Sequence, residues 1–188
     1  YADILAKEKL TSQHLFRLWS ISRFFTKLAL LQALEQTSYI LNSSISEIDP
    51  KIPFYNTWET TDLIRVIHLL EQASGFDDYH SKAMDNRKDH TYPPLKDMML
   101  SYKNSWCTRW QLGGWKAYGS SEYQVAGYPV ETLSGEIFAN YTQGQMLDLL
   151  EMLHSAYDFK QPRNLLFAKL MAAAFYARVL GASSALFF

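Results

Sequence analysis

TSQHLFRLWSISRFFTKLALLQALEQTSYIL, residues 11–41, contains neither glycine nor proline, and how it is read decides the fold. Leu18, Ile21, Phe25 and Leu28 recur at steps of three and four, the spacing that places side chains on one face of an α-helix. Gln13, Arg17, Ser20, Arg23 and Lys27 recur in the same way on another face. The pattern predicts an amphipathic helix whose narrow basic-polar stripe faces solvent, open to an acidic partner.

Outward from this segment the helical period persists. Residues 42–58, NSSISEIDPKIPFYNTW, form a serine-rich connection in which Pro50 and Pro53 disfavour helix at the residue before each. Its Ile48, Ile52, Phe54, Tyr55 and Trp58 are apolar enough to anchor it across the body of the domain. Thr60 or Thr61 is placed to cap a helix through Leu63, Ile64, Ile67 and Leu70 that stops near Gly75. A further helix is expected from Pro94 to Gly113-Gly114, with Tyr102, Trp106 and Trp110 as one core-facing stripe. Residues 115–128 read as a second irregular, aromatic connection. Pro129 opens another expected helix, Thr142 caps the one holding MLDLLEMLH, and Pro162 opens a last, alanine-rich one that runs to Gly181. Few segments alternate at period two, so strands have no evident place. The expectation is an all-α, single-domain bundle of about six or seven helices over residues 1–188, with two aromatic-rich irregular connections.

The totals narrow the function classes. Eighteen Lys and Arg against 19 Asp and Glu give a formal charge of −1, which excludes the electrostatic footprint of a nucleic-acid binder. The C-terminal apolar stretch is interrupted by Lys169 and Arg178, so it reads as a buried helix and not as a transmembrane segment. The lone Cys107 excludes an intrachain disulfide; with no signal peptide in view, an intracellular, reducing compartment is expected. Aromatic residues make up 15%, a proportion that suits contact surfaces as well as cores.

Three constellations bear on chemistry. Glu151 and His154 stand in a Glu-x-x-His step, the spacing helical di-iron sites use to put both ligands on one face. Asp77, Asp78, His80, Asp85, Asp89 and His90 are the densest run of potential ligands, a candidate site for a divalent cation or a diphosphate. That run, with Gly144-Gln145-Met146-Leu147-Asp148, resembles two short patches of the all-α isoprenyl diphosphate synthases. The resemblance implies a metal-bound diphosphate site, but the acids are spaced differently, RKDH stands where that family has Arg-Arg-Gly, and no second aspartate-rich motif follows. Nucleophilic catalysis has no Gly-x-Ser-x-Gly elbow, and no catalytic residue is assigned.

The aromatic connections therefore carry the leading reading. It is a non-catalytic helical domain or subunit of a larger assembly that binds a protein partner through Tyr55, Trp58, Trp115, Tyr118 and Tyr123. It requires Trp58, Trp115 and Tyr118 to be accessible to solvent. The alternative is a small all-α enzyme or ligand-binding protein using Asp77, Asp78, Asp85, Glu151 and His154, or a carrier of an apolar ligand between helices. The cofactor is left unassigned.

Overall fold

The computed structural model describes residues 7, 9–11, 14, 18–51, 54–58, 63–76, 95–101 and 106–157. The Asp77–His90 run, Thr60, Thr61, Tyr102 and the helix expected after Pro162 lie outside these residues.

A 3-10 turn, Trp19–Ile21, leads into α1, Ser22–Glu35. The helical period is correct and its phase is not. The face turned inward carries Ser22, Arg23, Thr26, Ala29, Leu30, Ala33 and Leu34, whereas Ile21, Phe24, Leu28 and Leu31 are exposed. The solvated stripe expected through Ser20, Arg23 and Lys27 is thus corrected at Arg23, which is buried. Polar residues are tolerated inside because the first turns of α1 find partners there. The Tyr157 hydroxyl donates to the Ser22 carbonyl at 2.6 Å, and the Thr26 hydroxyl donates to the same carbonyl at 3.2 Å.

The connection expected over 42–58 contains a short helix, α2, Ile45–Ile48. Its capping box is complete: Ser44 Oγ accepts from the Glu47 N–H at 3.1 Å, and Glu47 Oε2 accepts from the Ser44 N–H at 2.7 Å. Next come α3, Val66–Leu70, and α4, Leu95–Ser101. The helix expected to run from Pro94 to Gly113 does not continue. Residues 106–108 are extended instead: Cys107 bridges Tyr55 and Thr108 bridges Phe76. Trp106 is core, as its stripe suggested, but it arrives on extended backbone. It is fully buried, donates its Nε1–H to the Met99 carbonyl at 2.8 Å, and packs edge-on to Phe76. A bundle of continuous helices is therefore not what forms here.

Residues 115–128 also depart from expectation, since α5 spans Ser121–Ser134 with Pro129 inside it. Every residue from Ser121 to Val130 is buried, and α5 packs against α1, α2, α3, α4 and α6, Phe138–Thr142. Support from so many neighbours lets the helix carry a proline that removes one of its own hydrogen bonds. Gly135, in the left-handed region at φ 74°, ends it. A π-helical turn, Gln143–Leu147, follows α6, and residues 148–150 are turn. Among the described residues, no helix is long and apolar enough to cross a membrane.

Two positions generate tests of this packing. At Gly75, φ is +76° and a Cβ would lie 2.4 Å from the Trp110 carbonyl oxygen. Gly75→Ala should therefore destabilise by about 2 kcal/mol or more, read by urea unfolding; an unchanged midpoint would contradict the close approach. Glu131 ties the start of α4 to the start of α6: its carboxylate accepts from the Phe138 N–H at 2.9 Å and from the backbone of Lys96 and Leu95. Burial pushes its carboxyl above the ordinary value of 4.5, more than these donors pull it down. The neutral form is favoured in the folded state, so this stabilisation is complete below 4.5 and is lost as pH rises through the folded value. Stability measured relative to Glu131→Gln should accordingly fall as pH is raised across that window, and a pH-independent difference would contradict it.

Candidate functional site

The packing of α1 along α5 brings the starts of both helices to one place. Ser20, exposed in the 3-10 turn, accepts a hydrogen bond from the Tyr118 hydroxyl at 2.5 Å. One turn into α1, Arg23 is only 8% exposed and donates from Nη2 to Ser120 Oγ at 3.1 Å. Its guanidinium carbon stands 4.1 Å from the Tyr118 ring centroid and 5.0 Å from that of Tyr123. The Lys27 ammonium lies over the other contact ring, Tyr123, at 5.6 Å. Among the described residues, Arg23 Nε and Nη1 are buried without a hydrogen-bond partner.

The segment bearing Tyr118 is pinned to the turn after α3. Gln72, at φ 59°, accepts the Ala117 N–H on its carbonyl at 3.0 Å and donates its side-chain amide to the Gly119 carbonyl at 3.3 Å. A left-handed glutamine is a strained backbone, and such strain tends to gather near functional sites. Next to it, the Ser74 hydroxyl donates to the buried Glu122 at 3.0 Å, fixing the first turn of α5.

This arrangement offers a hydroxyl nucleophile in hydrogen-bond reach of a group able to exchange its proton. Tyr118 is the group in the cluster that can exchange a proton with Ser20, because a guanidinium stays protonated throughout the working pH range. The first turn of α1 adds the partial positive charge of a helix start, which favours negative charge developing at Ser20.

The structure separates the residues expected from sequence. Trp58, Trp115 and Tyr118 are 61%, 73% and 69% exposed, and Tyr55 is exposed as well, whereas Tyr123 is buried. Tyr118 engages Ser20 rather than standing free. Glu151 and His154 do not share a helix face: both are exposed, Glu151 has φ 56°, and the chain there is turn. Among the described residues, no group of three or more His, Cys, Asp or Glu is placed to hold a metal ion. Asp77, Asp78 and Asp85 lie outside them. Gln145 and Asp148 fall in the π-helical turn and just after it; Asp148 Oδ1 accepts from the Gln143 side chain at 2.7 Å.

Residues 1–174 match the β-lactamase family model. Comparison with curated proteins gives no match. Among solved structures, the chain is similar to a β-lactamase/D-alanine carboxypeptidase from Yersinia pestis, with TM-score 0.75 and 16% identity over 96% of this chain and 52% of that one. It is also similar to an octameric penicillin-binding protein homologue from Pyrococcus abyssi, with TM-score 0.75 and 19% identity over 100% of this chain and 45% of that one. A D-amino acid amidase from Ochrobactrum anthropi gives TM-score 0.75 and 17% identity over 100% of this chain and 55% of that one. The chain thus spans about half the length of these structures.

The likeness overturns the all-α bundle, because the shared fold is α/β, and family membership overturns the non-catalytic interaction domain together with the isoprenoid-synthase-like and apolar-carrier alternatives. The sequence signal for the site was Ser20-Ile21-Ser22-Arg23. It differs in its last residue from the Ser-x-x-Lys step of class A β-lactamases and penicillin-binding proteins. Read at helical spacing, its Ser20 and Arg23 passed for part of a solvated stripe. No Ser-x-x-Lys step, Ser-Asp-Asn or Lys-Thr-Gly occurs in the sequence. The chain belongs to the β-lactamase family.

Proposed function

We propose that the protein is a serine-dependent acyl hydrolase, with Ser20 as nucleophile and Tyr118 as its proton-transfer partner, acting on an amide or ester carbonyl. The observation that carries this reading is the 2.5 Å contact between the exposed Ser20 hydroxyl and the Tyr118 phenol. The names of structural neighbours support it: a carboxypeptidase, an amidase and a hydrolase with promiscuous acyltransferase activity all act on acyl bonds.

The Tyr118 phenol that donates to Ser20 at rest first gives its proton to solvent, and the resulting phenolate takes the Ser20 proton as Oγ attacks the carbonyl carbon. The carbonyl electrons move to its oxygen, and the negative charge develops near the start of α1. Collapse of the tetrahedral intermediate breaks the bond to the leaving amine or alcohol, which receives the proton from the Tyr118 phenol. Water repeats the sequence on the acyl-Ser20 ester and releases the acid. One hydrogen-bond line thereby serves both half-reactions.

Hydrolysis of a nitrophenyl ester and of a D-amino acid amide by the purified protein tests the reading. Ser20→Ala should reduce the rate to the buffer background. Tyr118→Phe should lower kcat by about 10²–10⁴-fold, the usual scale of general acid–base catalysis, while stability changes by no more than about 0.5 kcal/mol. Full activity in Ser20→Ala would exclude Ser20 as nucleophile.

A further inference from the structure

The Ser-x-x-Arg step departs from the Ser-x-x-Lys pattern at the residue closest to the chemistry. Arginine and lysine are not interchangeable there: lysine presents a compact ammonium that can give up its proton, arginine a flat cation that does not. Building on the assignment of Ser20 as nucleophile, we infer that Arg23 is a positioning residue that holds the Tyr118 phenol on Ser20 and keeps a permanent positive charge beside the path of the proton.

Three observations converge on this role. The guanidinium meets the Tyr118 ring at 4.1 Å and the Tyr123 ring at 5.0 Å while Nη2 bonds Ser120 at 3.1 Å. Only a planar fork with donors at its edge can stack and hydrogen-bond in this way, and a lysine amine cannot reproduce it. Second, Arg23 is only 8% exposed, yet among the described residues Nε and Nη1 have no hydrogen-bond partner. A structural cation buried to this degree is normally saturated by carboxylates or carbonyls, because unmet donors cost stability. Third, among the described residues its hydrogen bond and ring contacts go to the segment that presents Tyr118. The charged and titratable groups shown beside it are Tyr118 and Tyr123 on that segment and Lys27 one turn along α1, which shares the Tyr123 ring; Glu122, next in sequence to Tyr123, is engaged by Ser74.

The test is the rate at which an aryl fluorophosphonate labels Ser20, followed by intact mass over a range of pH, together with the melting temperature of each variant. In this reaction the Ser20 Oγ–P bond forms, the P–F bond breaks, fluoride leaves, and the Ser20 proton passes to ionised Tyr118. The wild-type protein should be labelled on Ser20. Arg23→Met should label at least ten-fold more slowly while melting at the same temperature or higher, since the unmet donors are gone. Arg23→Lys should label with a pH profile that gains a limb absent from the wild type, from the amine it introduces. Labelling of Arg23→Met at the wild-type rate, slowing only in step with a lowered melting temperature, or superposable profiles for Arg23→Lys and wild type would each overturn the inference and leave Ser20 as nucleophile. A wild-type protein that takes no label on Ser20 would overturn both.

Discussion

The packing of α1 along α5 is the contact on which the rest depends. Ala29, Leu30, Ala33 and Leu34 on one side and Val125, Ala126, Tyr128 and Val130 on the other are all buried. The small residues among them let two helix backbones come close, and dispersion across such a seam is collectively large. Because α1 and α5 begin at the same end of that seam, the turn before α1 meets the segment before α5. Ser20, Arg23, Tyr118 and Ser120 are neighbours for that reason, although Arg23 and Ser120 are 97 residues apart in sequence.

The two ends of α5 treat polar groups differently. At the far end Tyr128 donates to Asp49, which also accepts the Lys51 N–H at 2.8 Å and lies 3.6 Å from the Lys96 ammonium. Burial pushes the Asp49 carboxyl up, but the Tyr128 hydroxyl, the Lys51 N–H and Lys96 together bring it below the ordinary carboxylate value. Burial and the same Asp49 push the Tyr128 phenol up to about 12. These groups are saturated, as buried polar groups in a structural role must be. At the near end Arg23 is equally hidden and mostly unsaturated. That contrast separates a fastening from a working site more clearly than residue type does.

Much of the local structure was legible in the sequence, and its arrangement was not. The 3.6-residue period over residues 22–35 is real, whereas Pro129, expected to open a helix, lies inside α5. The phase of α1 was misread because its inner face carries Ser22, Arg23 and Thr26 while Ile21 and Phe24 face out. Hydrophobic patterning presumes that polar residues seek water, and it fails where a site recruits them inward. Of the expected stripe, Trp106 is core but on extended backbone rather than on a helix, Trp110 is half-buried, and Tyr102 lies outside the described residues. Isolated bridges such as Tyr55 with Cys107 span long sequence separations and leave no periodic trace. The site was harder still: an arginine in place of lysine broke the motif, and Tyr118 became meaningful only once it stood against Ser20.

The exposed aromatic residues of the 111–120 segment thus acquire a definite neighbourhood, with Tyr118 hydrogen-bonded to Ser20 and Trp115 three residues away. The central proposal is that Ser20 becomes covalently acylated. The direct measurement is to mix the protein with an activated ester, quench in acid within the first turnover, and locate the added mass by peptide sequencing in the mass spectrometer. An acyl group on Ser20, absent after a long chase in buffer, is the result the account predicts. Acylation elsewhere, or release of product with no acyl group on Ser20 at any time, would contradict it.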